Sequence, residues 1–370
     1  MDLRIEKLAK TIVNYSCRIK KDEKVLIDCF GSSPLLLFKA IIREVYSAGG
    51  LPFATLKDNS IIREIIKNCT PEQLEIMKKI DLPEMKSMDA YIGIRAHDNV
   101  NELGDISVEK ISAYMKNYAE LITDYRIKHT KWLVLRYPNN SMAQLANTSL
   151  EDFENFYFKV CNLDYNKMST AMDNLVKRMN DTSMVRITGK GTDLSFSIKD
   201  IPAVKCAGER NLPDGEVYTA PVKNSVNGFI TFNIPQIEQG VTYENVRFEF
   251  RNGKIIKATA NEAEKLNKFL DTDKGSRYVG EFAIGVNPYI LKPMKDALFD
   301  EKIMGSFHLT PGRCYEDADN KNKSAIHWDM IYIQTPEYGG GEIFFDDVLV
   351  RKDGLFVTDD LVCLNPENLK

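Results

Sequence analysis

The amino-acid sequence predicts an α/β protein of two domains: an N-terminal doubly wound, largely parallel sheet domain over residues 1–180 and a C-terminal α+β domain over residues 181–370. Three observations carry this. A chain of 370 residues with 44% hydrophobic content exceeds what one core usually organises. Strand-like and helix-like runs alternate as far as Arg136, which is the pattern of a parallel sheet covered on both faces. Around Asn180-Asp181-Thr182 the pattern turns to strands and tight turns, and the boundary is placed there.

In chain order, Leu3 to Ile19 has helical periodicity, and Lys24 to Cys29 reads as a buried strand running into Phe30-Gly31-Ser32-Ser33-Pro34. A helix from Leu35 to Ser47 ends at Gly49-Gly50, and Leu51 to Thr55 is the next strand, which completes a βαβ unit. Helical runs follow at 60–67 and 71–79, then a strand at 89–94, a long helix at 108–126 and a strand at 131–136. Leu150 to Cys161 and Tyr165 to Met179 are helical, with Asp173 and Lys177 one turn apart. Past the boundary, Val185-Arg186-Ile187-Thr188 and Asp193 to Ile198 flank Gly189-Lys190-Gly191 as a hairpin. Val246-Arg247-Phe248-Glu249-Phe250 alternates cleanly, turns at Asn252-Gly253 and returns through Lys254 to Ala258. Asn261 and Glu264 have the spacing of a capping box at the start of a helix.

Composition excludes several classes. Lys and Arg number 49 against 53 Asp and Glu, a formal charge of -4, with no basic block to follow a nucleic-acid backbone. The start, Met1-Asp2-Leu3-Arg4-Ile5-Glu6, has no signal-peptide core, and no apolar run approaches the ~18 residues that span a bilayer. A cytoplasmic protein without nucleic-acid or membrane partners is expected. The seven cysteines lack any C-x-x-C pair, which argues against a disulfide framework and against a thiolate zinc site. The G-x-G-x-x-G fingerprint of dinucleotide binding is absent.

Only four histidines are present, His97, His129, His308 and His327, and two of them lie within twenty residues of each other. His97 follows the 89–94 strand, where doubly wound sheets often bind ligands, although a solvated loop histidine is the stronger reading. His129, beside Lys128 and Lys131, reads as surface. His327 and Asp329 sit two apart in the apolar, strand-like run Ser324 to Ile333, so both point to one side. A buried His-Asp pair and a metal site both fit that stretch. Glu281 shares a strand face with Ala283 and Gly285, whose small side chains leave room before it. His308 precedes the Pro311-Gly312 turn with Tyr315 just beyond, and Asp214 and Glu216 lie in the turn Asn211 to Pro221. Together these stretches supply two imidazoles and at least three carboxylates, a ligand count that suits two divalent cations with positions left for water.

Asn211-Leu212-Pro213-Asp214-Gly215-Glu216-Val217-Tyr218-Thr219-Ala220-Pro221, Gly280-Glu281-Phe282-Ala283-Ile284-Gly285 and Ile326-His327-Trp328-Asp329-Met330 resemble signature stretches of the M29 metallo-aminopeptidases, the aminopeptidase T and aminopeptidase S group. Tyr137 to Gln144 and Gly189 to Leu194 add to the resemblance, which covers nearly the whole chain. It implies metal ligation by Glu216, Glu281, His308, His327 and Asp329, with Tyr315 as a catalytic side chain. It also implies a metal-binding catalytic domain at 181–370, a homodimer, and hydrolysis of N-terminal residues from peptides by a metal-activated water. Two departures stand out: a chain shorter than typical members, mainly in the N-terminal half, and Asp346-Asp347 where an Asp-Gly turn is common.

On this reading Glu216 is a metal ligand or the general base, Asp214 supports it, and Tyr315 donates to the oxyanion. Zn2+ or Co2+ is the expected metal, with Mg2+ or Mn2+ as further candidates. The substrate amine is held by a metal or by an acid such as Glu209 or Glu249. A dinuclear hydrolase of another amide or a phosphoester, and a non-catalytic small-ligand binder, are the competing readings.

Overall fold

The computed structural model describes residues 2–99, 101–238 and 240–370. The chain divides into two compact units, Met1–Asn162 with Gly208–Leu212, and Leu163–Ala207 with Pro213–Lys370.

The first unit is built on a five-stranded sheet in the order Leu51–Lys57, Lys24–Phe30, Ala90–Arg95, Lys131–Arg136, Asn211–Leu212, parallel throughout. Val25, Ile27, Ile92, Ile94, Leu133 and Leu135 are fully buried on alternate positions of the central strands, each such side chain contributing roughly 1.5–3 kcal/mol. The fifth strand comes from the stretch around Leu212, far along the chain, which the sequence offers only as part of a turn. The periodicity at 3–19 and 108–126 is helical as expected, but each run contains a π-helical turn, at Thr11–Ser16 and Met115–Ala119. His97 is half-buried behind the third strand, where burial first and then Arg136 and Arg95 lower its pKa to about 4. It is therefore a neutral imidazole. His129 is exposed and stacked on Tyr125.

The second unit contains the helix Tyr165–Asn180, an eight-stranded antiparallel sheet and a five-stranded antiparallel sheet. Both expected hairpins are present in the larger sheet, 184–189 with 192–197 and 247–251 with 254–259. Asn252 and Gly253 both adopt positive φ, as a two-residue hairpin turn needs. Asp346 and Asp347 do the same, and the Asp346 carboxylate accepts from the backbone N–H groups of Ser183 and Met184. The capping box does not form. Asn261 turns its side chain to Glu244 N and Thr242 O instead, and the helix begins at Ala263 without a side-chain cap.

The smaller sheet runs in the order 330–333, 306–311, 279–285, 216–219, 204–206. Its apolar face carries Phe282, Ile284, Val217, Phe307 and Tyr332, all buried, with Phe282 packed edge-on against Phe196 of the larger sheet at 5.0 Å. The alternation that buries these residues turns the intervening positions the other way. The strand-like run at 324–333 is shorter than its apolar content suggests. Only Met330–Ile333 is strand, while His327 is held by an isolated bridge to Gly312.

That bridge depends on Gly312. Its φ is +113°, and a Cβ there would stand 2.1 Å from the Ile326 carbonyl oxygen. Gly312→Ala is therefore expected to cost roughly 1–3 kcal/mol through backbone strain. The thermal midpoint should fall by several degrees, and an unchanged midpoint would contradict this placement.

Candidate metal centre

Register explains why one face of the smaller sheet is polar. Gly285 pairs with Glu216, Ala283 lies between Tyr218 and His308, and Glu281 pairs with Thr310. Residues opposite one another in a ladder share a face, so Glu216, Tyr218, Glu281, His308 and Thr310 project together. Ala283 and Gly285 supply the space that the sequence suggested in front of Glu281. Asp329 precedes the outer strand and His327 enters through its bridge to Gly312, while Trp328 between them points away against Tyr243 and Phe269.

The structure brings all five expected ligand residues into one place. His327 Nε2 lies 3.3 Å from Glu281 Oε2 and 3.3 Å from Asp329 Oδ1. His308 Nε2 is 3.4 Å from Glu281 Oε1 and 4.0 Å from Asp329 Oδ1, and its Nδ1 is 3.8 Å from Glu216 Oε2. Glu216, Glu281 and His308 are buried; His327 and Asp329 are the more open members. Among the described residues, four atoms facing this space lack a hydrogen-bond partner of good geometry: Glu216 Oε2, Glu281 Oε2, His308 Nδ1 and His327 Nε2. Buried polar atoms are rarely left so, since each costs about 1–3 kcal/mol. Imidazole nitrogens and carboxylate oxygens converging within 4.8 Å, as Glu281, His327 and Asp329 do, fit a divalent cation.

The surroundings orient these groups. His327 Nδ1 donates to the Arg313 carbonyl at 2.7 Å, which leaves the Nε2 lone pair free once the ring is neutral. Thr310 donates its hydroxyl to Asp329 Oδ1 at 2.5 Å. Lys302, buried, reaches Glu216 Oε1 at 2.8 Å and Glu301 Oε2 at 2.5 Å, so only Oε2 of Glu216 faces the site. Burial alone would favour neutral Lys302, but Glu216 and Glu301 hold its pKa well above the ordinary value. Cys206, Asp214 and Glu216 also have metal-like spacing, yet Lys302 already provides a cation there.

Without metal, the imidazoles carry the compensating charge. Burial opposes protonation of both rings. Glu281, Glu216 and Asp329 nevertheless raise His308 to about 9, and Asp329 and Glu281 raise His327 to about 11.

Tyr315 leans its ring on His327 at 4.8 Å and on Tyr218 at 5.6 Å, with 43% of the residue exposed. Burial of the hydroxyl end and the carboxylates, Glu281 first, hold its phenol pKa well above the ordinary value. Asp214 is buried, and its backbone N–H donates to the Tyr165 hydroxyl at 3.2 Å. The two acids suggested for the amine already have cations beside them. Glu249 sits in the larger sheet between Arg247 at 3.5 Å and Lys257 at 3.3 Å. Glu209 belongs to the first unit, 3.9 Å from Arg18. Sequence reasoning missed Thr310 and Lys302. Thr310 was within reach, being two residues beyond His308 on one strand face, whereas nothing in Asp300-Glu301-Lys302 announces a buried ammonium.

With this geometry in place, comparison with known proteins is direct. The family described as thermophilic metalloprotease (M29) matches residues 1–340. The chain belongs to the M29 metallopeptidase family. Among its relatives, aminopeptidase PepS of Streptococcus thermophilus is 22% identical, over 88% of this chain and 91% of that protein. Aminopeptidase T of Thermus aquaticus is 34% identical over a shorter stretch, 33% of each chain. The solved structure of AmpT from Thermus thermophilus superposes with a TM-score of 0.79 at 19% identity, over 96% of this chain and 99% of that one. A 2,5-dihydroxypyridine dioxygenase from Pseudomonas putida KT2440 gives 0.62 at 12% identity, over 98% and 99%. The M29 fold is thus shared with a protein named for oxygen chemistry.

The raised imidazole pKa values fix a pH dependence for the metal-free M29 chain. Against an unfolded value of about 6.5, protonated His308 and His327 stabilise the fold fully below about pH 6.5. That contribution is lost as pH rises through about 9 for His308 and about 11 for His327. Thermal midpoints of chelator-treated protein should fall as pH rises through this window, and fall less in His308→Gln. A flat profile, or one unaffected by that substitution, would contradict it.

Proposed function

We propose that this M29 protein is a metal-dependent aminopeptidase that removes N-terminal residues from peptides. The observation that supports it best is the convergence of four unpartnered buried atoms on one space, from Glu216, Glu281, His308 and His327. On this reading Glu216, Glu281, His308, His327 and Asp329 hold two divalent ions, zinc or cobalt, with magnesium or manganese also suited to carboxylate-rich sets. Ions bound there would supply an acidified water and a polarised carbonyl.

The chain's own groups do the rest. Lys302 occupies one Glu216 oxygen, so the other, Oε2, is left to act as a ligand or to take up the water's proton. Thr310 fixes the Asp329 carboxylate, and the Arg313 carbonyl fixes the His327 ring. Tyr315 keeps its phenolic proton at neutral pH and donates it as a hydrogen bond to the carbonyl oxygen as negative charge develops there. M29 membership and the aminopeptidase relatives support the substrate class. A cytoplasmic homodimer is part of the same proposal.

Hydrolysis of an aminoacyl p-nitroanilide, abolished by chelation and absent with the N-acetylated substrate, tests the reading. Turnover of both substrates alike would favour a different amide hydrolase. Glu281→Gln and His327→Ala should each lose metal and activity together. Tyr315→Phe should keep its metal while kcat drops by roughly 10²–10³-fold; undiminished kcat would remove Tyr315 from the mechanism.

A further inference from the structure

An exopeptidase needs a negative group for the substrate's free ammonium, and on the reading above the ligand residues are committed to metal. The free edge of Met330–Ile333 points to a further acid. Side-chain amides cap this edge where another strand would normally pair. Asn233 donates to the Ile333 carbonyl at 2.6 Å and accepts from Ile333 N at 3.1 Å. Gln236 does the same at Ile331, donating at 3.0 Å and accepting at 3.0 Å. As the chain runs from 233 to 236, the contacts step back from 333 to 331. Continued two residues further, the same antiparallel course runs from Gln236 and Ile331 toward Glu238 and Asp329.

Side-chain direction agrees. Gln236–Glu238 is extended and pairs with Val241–Tyr243, so Glu238 points to the same side as Gln236. Ile237 between them is 43% exposed on the other side. Tyr243, opposite Gln236 in this ribbon, packs on Trp328 at 5.5 Å, which ties the ribbon to the residue between His327 and Asp329. Glu238 is half-buried, and burial first and then the charge of Asp329 raise its pKa to about 7. Among the described residues it has no cation or hydrogen-bond donor of its own, unlike Glu216 with Lys302 and Asp329 with Thr310. A half-buried carboxyl group without a counter-charge ionises at a cost until a cation arrives.

We propose that Glu238 is the acid that recognises the N-terminal ammonium of the substrate, a specificity-determining residue on the ribbon beside Asp329. This rests on the aminopeptidase reading for its biological sense, but it can be measured without turnover. Of the two acids suggested by sequence, Glu249 already has two cations and Glu209 faces Arg18.

The test compares leucinamide with its des-amino analogue, 4-methylpentanamide, by calorimetry on metal-loaded wild type and Glu238→Gln, with metal content measured for both. Wild type should bind leucinamide at least ~10-fold more tightly than the analogue, and the glutamine variant should lose most of that preference while retaining its metal. In turnover, KM should rise by roughly 10–100-fold with kcat changed far less. An amine preference that survives Glu238→Gln, or its absence in wild type, overturns the proposal. A preference of the expected kind without hydrolysis would sink the peptidase reading and leave the role of Glu238 intact.

Discussion

Three carboxylates collected on the buried face of one sheet are the constraint on which the rest of this site depends. Glu216, Glu281 and Asp329 cannot be held so close in a poorly solvated space without positive charge. The chain meets the demand in two ways. Lys302 neutralises the outer oxygen of Glu216 permanently, and His308 and His327 are raised to about 9 and about 11 so that they carry protons when no metal is present. Metal binding requires neutral imidazoles and would exchange those protons for ions. The fold therefore maintains a charge deficit that a divalent cation completes.

The sheet makes this possible by separating its two faces. Phe282, Ile284, Phe307 and Tyr332 anchor one side in apolar contact, and the same strands present Glu281, Ala283, His308 and Thr310 on the other. Rigid strands hold side chains more exactly than loops do, and the small Ala283 and Gly285 keep the space before them open. The shared fold does not determine the chemistry. AmpT and a dihydroxypyridine dioxygenase both superpose on this chain along almost their whole length, so the reaction has to be read from the donor set and its surroundings.

Much of this was legible in the sequence because it followed local periodicity. The parallel strands of the first unit, the Asn252-Gly253 hairpin and the parity that sets Glu281 against small neighbours all obey rules that act over a few residues. Gathering the five ligand candidates was harder. Their separate stretches reveal chemistry only when strand register brings Gly285 to Glu216 and Ala283 to His308, and the resemblance to M29 sequences supplied that long-range information. What stayed hidden depends on tertiary contact alone: Lys302 beside Glu216, the Arg313 carbonyl behind His327, and the fifth parallel strand at Asn211–Leu212. His327 and Asp329 face one way as alternation suggested, but the bridge to Gly312 holds them there, since the strand itself begins only at Met330.

Anomalous diffraction from crystals grown with zinc tests the central claim most directly. The account predicts anomalous density among Glu281, His327 and Asp329, with His327 bound through Nε2 at about 2.0–2.1 Å and further density toward His308 and Oε2 of Glu216. Zinc seated instead beside Cys206 and Asp214, with Lys302 displaced and the two imidazoles untouched, would contradict it.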